Sequence, residues 1–106
     1  MSINLATKTN YDEGTIITYA YSYSSRHPRF ARIIRRTNAS VWIEELRSKI
    51  VTDDGYGQNG TCIADLEAPG LIHKKGYRFS NRSGYLKIDG RLAYIYDGEP
   101  EMFYTD

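Results

Sequence analysis

The sequence predicts an all-β fold, a small SH3-like or Greek-key barrel of about six strands with an irregular excursion over residues 47–75. Three observations carry this. Side chains alternate with a period of two through residues 16–23 and again through 40–46, as strands do. Turn formers recur at short intervals: Asn38, Asp53-Asp54-Gly55, Asn81-Arg82-Ser83-Gly84, Asp89-Gly90 and Asp97-Gly98. No stretch holds a helical period of any length. With 106 residues the chain suits one β-rich domain, with residues 1–13 as a loose polar lead-in.

Taken in order, the first strand follows Gly14, with Ile17, Tyr19, Tyr21 and Tyr23 on one face and Ile16, Thr18 and Ala20 on the other. Pro28 lacks a backbone donor and is expected to break the run. The stretch from 29 to 46 reads as a hairpin around which the rest is organised. Its first strand places Ala31, Ile33 and Arg35 on one face and Phe30, Arg32, Ile34 and Arg36 on the other. It is apolar on both faces at its start and charged on both at its end. Asn38 is the expected left-handed turn residue. The returning strand places Val41, Ile43 and Glu45 opposite Trp42, Glu44 and Leu46. Arg35 or Arg36 is positioned to pair with Glu44 or Glu45. Residues 61–66 could add a brief strand. Strands resume at Tyr77-Arg78-Phe79, 85–88 and 92–96, the last two joined by Asp89-Gly90, the favoured two-residue hairpin. Asp97-Gly98 reads as a second such turn, and Met102-Phe103-Tyr104 as a closing strand or tail.

The net charge is +1, yet charge is locally polarised. Five arginines (Arg26, Arg29, Arg32, Arg35, Arg36) occur without an acid, and Lys74, Lys75, Arg78 and Arg82 form a second basic cluster. The end of the chain, from Asp97, holds four acids and no base. One cysteine, Cys62, allows neither a disulfide framework nor a cysteine-rich zinc site. No leader or membrane-spanning run is visible, so the expected setting is cytoplasmic, with no membrane partner.

These residues point away from catalysis. Glu44 and Glu45 are adjacent on a strand and face opposite ways. Asp53 and Asp54 sit in a glycine-rich loop and read as turn formers. His27, His73 and Cys62 show no spacing that brings them together. No catalytic, cofactor or metal residue is assigned. The binding candidates are Arg26, Arg29, Arg32, Arg35 and Arg36 with Tyr21 and Tyr23, and Lys74, Lys75, Arg78 and Arg82. Cations beside rings serve single-stranded nucleic acid, where bases stack on aromatic faces. Lys75-Gly76-Tyr77-Arg78-Phe79 resembles the opening of the aromatic motif in RRM and cold-shock domains, departing from it at Arg78. Arginine and tyrosine are equally the residues of protein interfaces.

Two segments, Phe30-Ala31-Arg32-Ile33-Ile34-Arg35-Arg36-Thr37-Asn38-Ala39-Ser40-Val41 and Leu92-Ala93-Tyr94-Ile95-Tyr96-Asp97-Gly98-Glu99-Pro100, resemble a group of small proteins of phages and mobile elements. That resemblance implies an accessory protein acting in a bacterial cytoplasm by binding a host or defence factor. The leading expectation is a non-catalytic module that binds and modulates a nucleic-acid-handling host or defence protein. Direct nucleic-acid binding through the two basic clusters is the alternative, and a small metal-dependent hydrolase is the third.

Overall fold

A computed structural model describes residues 11–22, 25–56, 58–79 and 85–104. Of these, 64% lie in strands and none in a helix, so the all-β expectation holds. Nine strands follow one another: β1 (Ile16–Ser22), β2 (Arg26–Arg36), β3 (Ser40–Asp53), β4 (Asn59–Asp65), β5 (Leu71–Ile72), β6 (Tyr77–Arg78), β7 (Leu86–Ile88), β8 (Arg91–Ile95) and β9 (Glu101–Tyr104). Every pairing among them is antiparallel.

The β2–β3 ladder is the axis of the molecule. β2, β3, β4 and β9 pair in a ring and close a small four-stranded barrel. On the other face, β3, β2, β1, β8 and β7 run round to β6, which pairs back onto β3. A single bridge, Phe79 to Leu86, completes that second ring. Each ring encloses its own core. Phe30, Leu46, Cys62 and Ala64 fill the small barrel, with Ile16, Tyr96 and Phe103 packed against them. Ile17, Tyr19, Ala31, Ile33, Val41 and Ile43 belong to the larger cluster, with Phe79, Leu86 and Ile88.

Two cores explain the sequence of β2. Adjacent strand residues point to opposite faces, so Phe30 enters one core while Ala31 and Ile33 enter the other. β3 repeats the device, with Val41 and Ile43 on one side and Leu46 on the other. Placing the cores end to end gives a molecule of 49 × 28 × 23 Å, with a radius of gyration of 14.5 Å. A spherical chain of this length would have about 13 Å.

Several expectations are corrected. Residues 47–75 are not an irregular excursion. β3 continues to Asp53 and turns back as β4, with Arg47 opposite Asp65 and Asp53 opposite Gly60. The pattern there looked weak because β3 is exposed on both faces from Arg47 to Asp53, so no alternation of apolar and polar residues marks it. Pro28 does not break the strand. It lies inside β2, paired with Ala20, at a place where β2's other edge has no neighbour. A proline is tolerated there because no donor is needed. The end of the lead-in is docked: Tyr11 is buried and its hydroxyl donates to Ala93 O at 2.8 Å. Asn38 keeps a negative φ. The one described non-glycine residue with a positive φ is Asp89 (51°), followed by Gly90 at 82°. That pair of angles matches the two-residue hairpin expected there. Asp97-Gly98 is no hairpin, because β8 and β9 are not paired. It carries the chain from the larger ring to the smaller one, and Asp97 Oδ1 accepts from Glu99 N at 2.9 Å.

A β-bulge redirects the arginines. Ile33 opposes Ile43, yet Arg35 opposes Trp42 and Arg36 opposes Val41. The extra residue, Ile34, inverts the alternation after it. Arg36 therefore shares the Ile33 face and Arg35 shares the Trp42 face, the reverse of the order read from the sequence.

Candidate functional site

Three of the five arginines between 26 and 36 are held by acids from distant parts of the chain. Arg32 Nη1 lies 3.1 Å from Glu44 Oε1, directly across the ladder. Arg36 Nη1 lies 3.0 Å from Asp12 Oδ1, and its guanidinium sits 5.0 Å from the centre of the Phe79 ring. Arg26 Nη2 lies 3.8 Å from Glu101 Oε1, and its Nη1 also donates to Met102 O. The expected pairing of Arg35 or Arg36 with Glu44 or Glu45 does not form, because the ladder register sets Glu44 opposite Arg32 and Glu45 opposite Ala31, while Arg35 and Arg36 stand opposite Trp42 and Val41. Glu45 instead has His73 Nε2 at 3.7 Å. Arg29 is exposed on a different part of β2. The arginines do not form one surface.

One arginine joins the second cluster. Arg35 lies over the Trp42 ring, 4.5 Å from its centre. Gly76 packs against the six-membered ring of the same tryptophan: a Cβ there would stand 3.0 Å from Cε2 and Cζ2. The chain reaches that position because β5 pairs with Glu44 and Glu45, and β6 pairs with Ser40 and Val41, along one edge of β3. Lys74, Lys75 and Arg78 are thus carried beside Arg35, about forty residues away in sequence. All four are exposed. Lys75 Nζ lies 5.3 Å from the Tyr77 ring centre, while Lys74 and Arg78 have no ion-pair partner among the described residues. Leu71 and Ile72 extend the strip, 67% and 58% exposed. Sequence reasoning did not single them out, although an aliphatic pair just after Pro69-Gly70 was a signal of an exposed edge.

The strip is apolar and basic, and its rings are half-buried or buried. Trp42 has Arg35 over its ring and Gly76 packed against it, while Tyr77 and Phe79 are buried. Tyr77 Oη meets His73 Nδ1 at 3.0 Å, which ties the β5–β6 connection to the core. Tyr21 pairs with His27 at the far end of β1, away from this strip. Tyr23 and Arg82 lie outside the described residues.

The acidic loops behave as turn chemistry. Asp53 Oδ1 accepts from Gly55 N at 2.6 Å and Asp54 Oδ1 from Tyr56 N at 2.9 Å. The Tyr56 backbone bond, aided by Asn59, holds the Asp54 carboxyl below its usual value. Among the described residues no three His, Cys, Asp or Glu side chains gather as metal ligands, and no helix is long and apolar enough to cross a membrane.

Burial raises the pKa of Cys62, Tyr11 and Tyr96, since each would lose hydration when charged. The native chain then keeps protons that the unfolded chain releases above 9.0 for the thiol and 10.0 for the phenols. Where the native state binds more protons, stability falls as pH rises. Urea midpoints should therefore hold steady through neutral pH and decline as pH climbs past these values. A midpoint that rises with alkalinity would contradict this burial.

No protein-family model, no curated protein and no solved structure matches this chain.

Proposed function

We propose that this chain is a non-catalytic binding module and that its partner is a protein, engaged by the β5–β6 strip. The observation that carries the reading is the composition of that strip: exposed Leu71 and Ile72 with Lys74, Lys75, Arg35 and Arg78 nearby, while the acids across the ladder, Glu44 and Glu45, already have Arg32 and His73 beside them. Aliphatic side chains with a cationic rim complement an apolar surface bordered by acids. A single-strand binder needs open ring faces for bases, and here the nearby rings are half-buried or buried. The resemblance to proteins of phages and mobile elements supports the finer reading, a host or defence protein that handles nucleic acid in a bacterial cytoplasm. On that reading the contact falls on an acidic surface of the partner and not in its basic groove.

Direct nucleic-acid binding has one observation in its favour: Lys74 and Arg78 have no ion-pair partner among the described residues and could meet phosphates. One experiment separates the two. The protein is immobilised, exposed to bacterial lysate, and washed with and without nuclease. The parent should retain a protein after nuclease treatment. A Leu71→Ser/Ile72→Ser variant should lose at least about tenfold in retention with an unchanged melting temperature, because both side chains are already exposed. Retention abolished by nuclease, or a shift of single-stranded RNA or DNA at low salt, would replace the protein reading with the nucleic-acid one.

A further inference from the structure

The small barrel is open along one side. β3 parts from β2 after the Phe30–Leu46 pair, and β9 joins β2 only at Arg26. Between these points residues 27–29 and 47–48 face each other without ladder bonds. Pro28 sits in this gap and leaves no N–H unpaired. On β3, Ile43 O accepts from His73 N on the far edge. Ladder alternation then turns the N–H of Ser48 toward the gap.

The gap opens into a cavity of about 470 Å³, within the range of about 300–1,000 Å³ typical of small-molecule sites. Its floor is Phe30, Leu46, Cys62 and Phe103. Ile50 forms an apolar wall that is 55% exposed. The rim carries Arg29, Arg47 and His27 against one carboxylate, Glu45, which already has His73 beside it. Arg47 is exposed and makes no ion pair among the described residues.

We propose that this cavity binds an aliphatic monocarboxylate, with the chain on the apolar floor and the carboxylate between Arg47 and the Ser48 N–H. The side chains of the floor offer no hydrogen-bonding group except the Cys62 thiol, so the body of the ligand is apolar. Arg47 has no ion-pair partner among the described residues and Glu45 already has His73 beside it, so the head is an anion. This site is separate from the β5–β6 strip and stands or falls independently of the protein-binding reading.

Cys62 supplies the reporter. It is the sole cysteine, it is 4% exposed, and it lines the cavity, so its alkylation depends on access through the gap. Decanoate, decanol and decylamine serve as probes of matched chain length, read by calorimetry and by the rate of Cys62 alkylation at one fixed alkaline pH. Decanoate should bind with one-to-one saturation and slow alkylation by about tenfold, and decylamine should bind at least about tenfold more weakly. Arg47→Glu, at an exposed position that leaves the fold intact, should weaken decanoate by about tenfold and leave decanol unchanged. Absence of saturable binding and protection in the parent would overturn the site. Equal binding of decylamine, or an unchanged decanoate affinity in Arg47→Glu, would overturn the anionic class of ligand.

Discussion

Replacing Phe30 by alanine is expected to lower the stability of the whole molecule by about 3–5 kcal/mol. Its side chain is fully buried in the small barrel, with the Tyr96 ring at 4.9 Å and an interplanar angle of 64°. Little can collapse into the space left behind, because the neighbouring cavity already opens onto it. Ile33→Ala removes a fully buried side chain three residues away, from the larger core, and should lose about 2–5 kcal/mol. The two deletions test a single idea. β2 and β3 supply residues to both cores, so neither ring can melt while the other keeps its ladder. Both variants should therefore unfold in urea in one transition, coincident by circular dichroism and by the fluorescence of Trp42, which lies on that ladder. If Phe30→Ala lowers the circular-dichroism midpoint and leaves the Trp42 transition in place, the two rings are independent units and the shared-ladder account fails.

How much of this was legible in the sequence depends on which residues are asked. The period of two in β1 and in the first half of β3 marked both strands, with Ile17 and Tyr19 on one face of β1 and Val41 and Ile43 on one face of β3, the faces that enter the larger core, and Asp89-Gly90 marked its hairpin. The apolar run on both faces of β2 was equally visible. Its cause was not, since one strand dividing two cores cannot be told from a strand leaving a core by its own residues. The bulge at Ile34 carries no glycine or proline to mark it, and it reverses the side on which Arg35 and Arg36 emerge. The basic run from 26 to 36 looked like a surface because its charges are close in sequence. Alternation, the bulge and the acids Asp12, Glu44 and Glu101 divide it between two faces. The neighbours that Arg35 does acquire, Lys74, Lys75 and Arg78, arrive through the pairing of β5 and β6 with β3, a non-local contact. The cavity was illegible for the same reason: it exists because β3 leaves β2 for β4, a divergence set by strand pairing and signalled only by Pro28.

Gly60→Ala is expected to cost about 3 kcal/mol, the upper end for overpacking, since the obstruction is main chain. Gly60 stands opposite Asp53 near the end of the β3–β4 hairpin. A Cβ there would overlap Thr52 O and lie 2.8 Å from Asp53 Cα. A flexible side chain could swing aside, but these atoms belong to the strand that Gly60 pairs with, so the hairpin itself must open. The Thr52–Thr61 hydroxyl contact of 2.8 Å would go with it. Gly55 is the internal control: a Cβ there meets nothing within 4 Å, so Gly55→Ala should cost only the strain of its φ of 87°, about 1–2 kcal/mol. The consequence of Gly60→Ala extends past the hairpin, because Gly60 also pairs with Phe103 on β9, the strand that closes the small barrel. Loosening it should expose Cys62, so alkylation of the thiol should accelerate in Gly60→Ala and stay at the parent rate in Gly55→Ala. A Gly60→Ala protein within about 0.5 kcal/mol of the parent in urea, with its thiol still protected, would mean that β3 and β4 are not packed at this distance. The closure of the small barrel would then need another account.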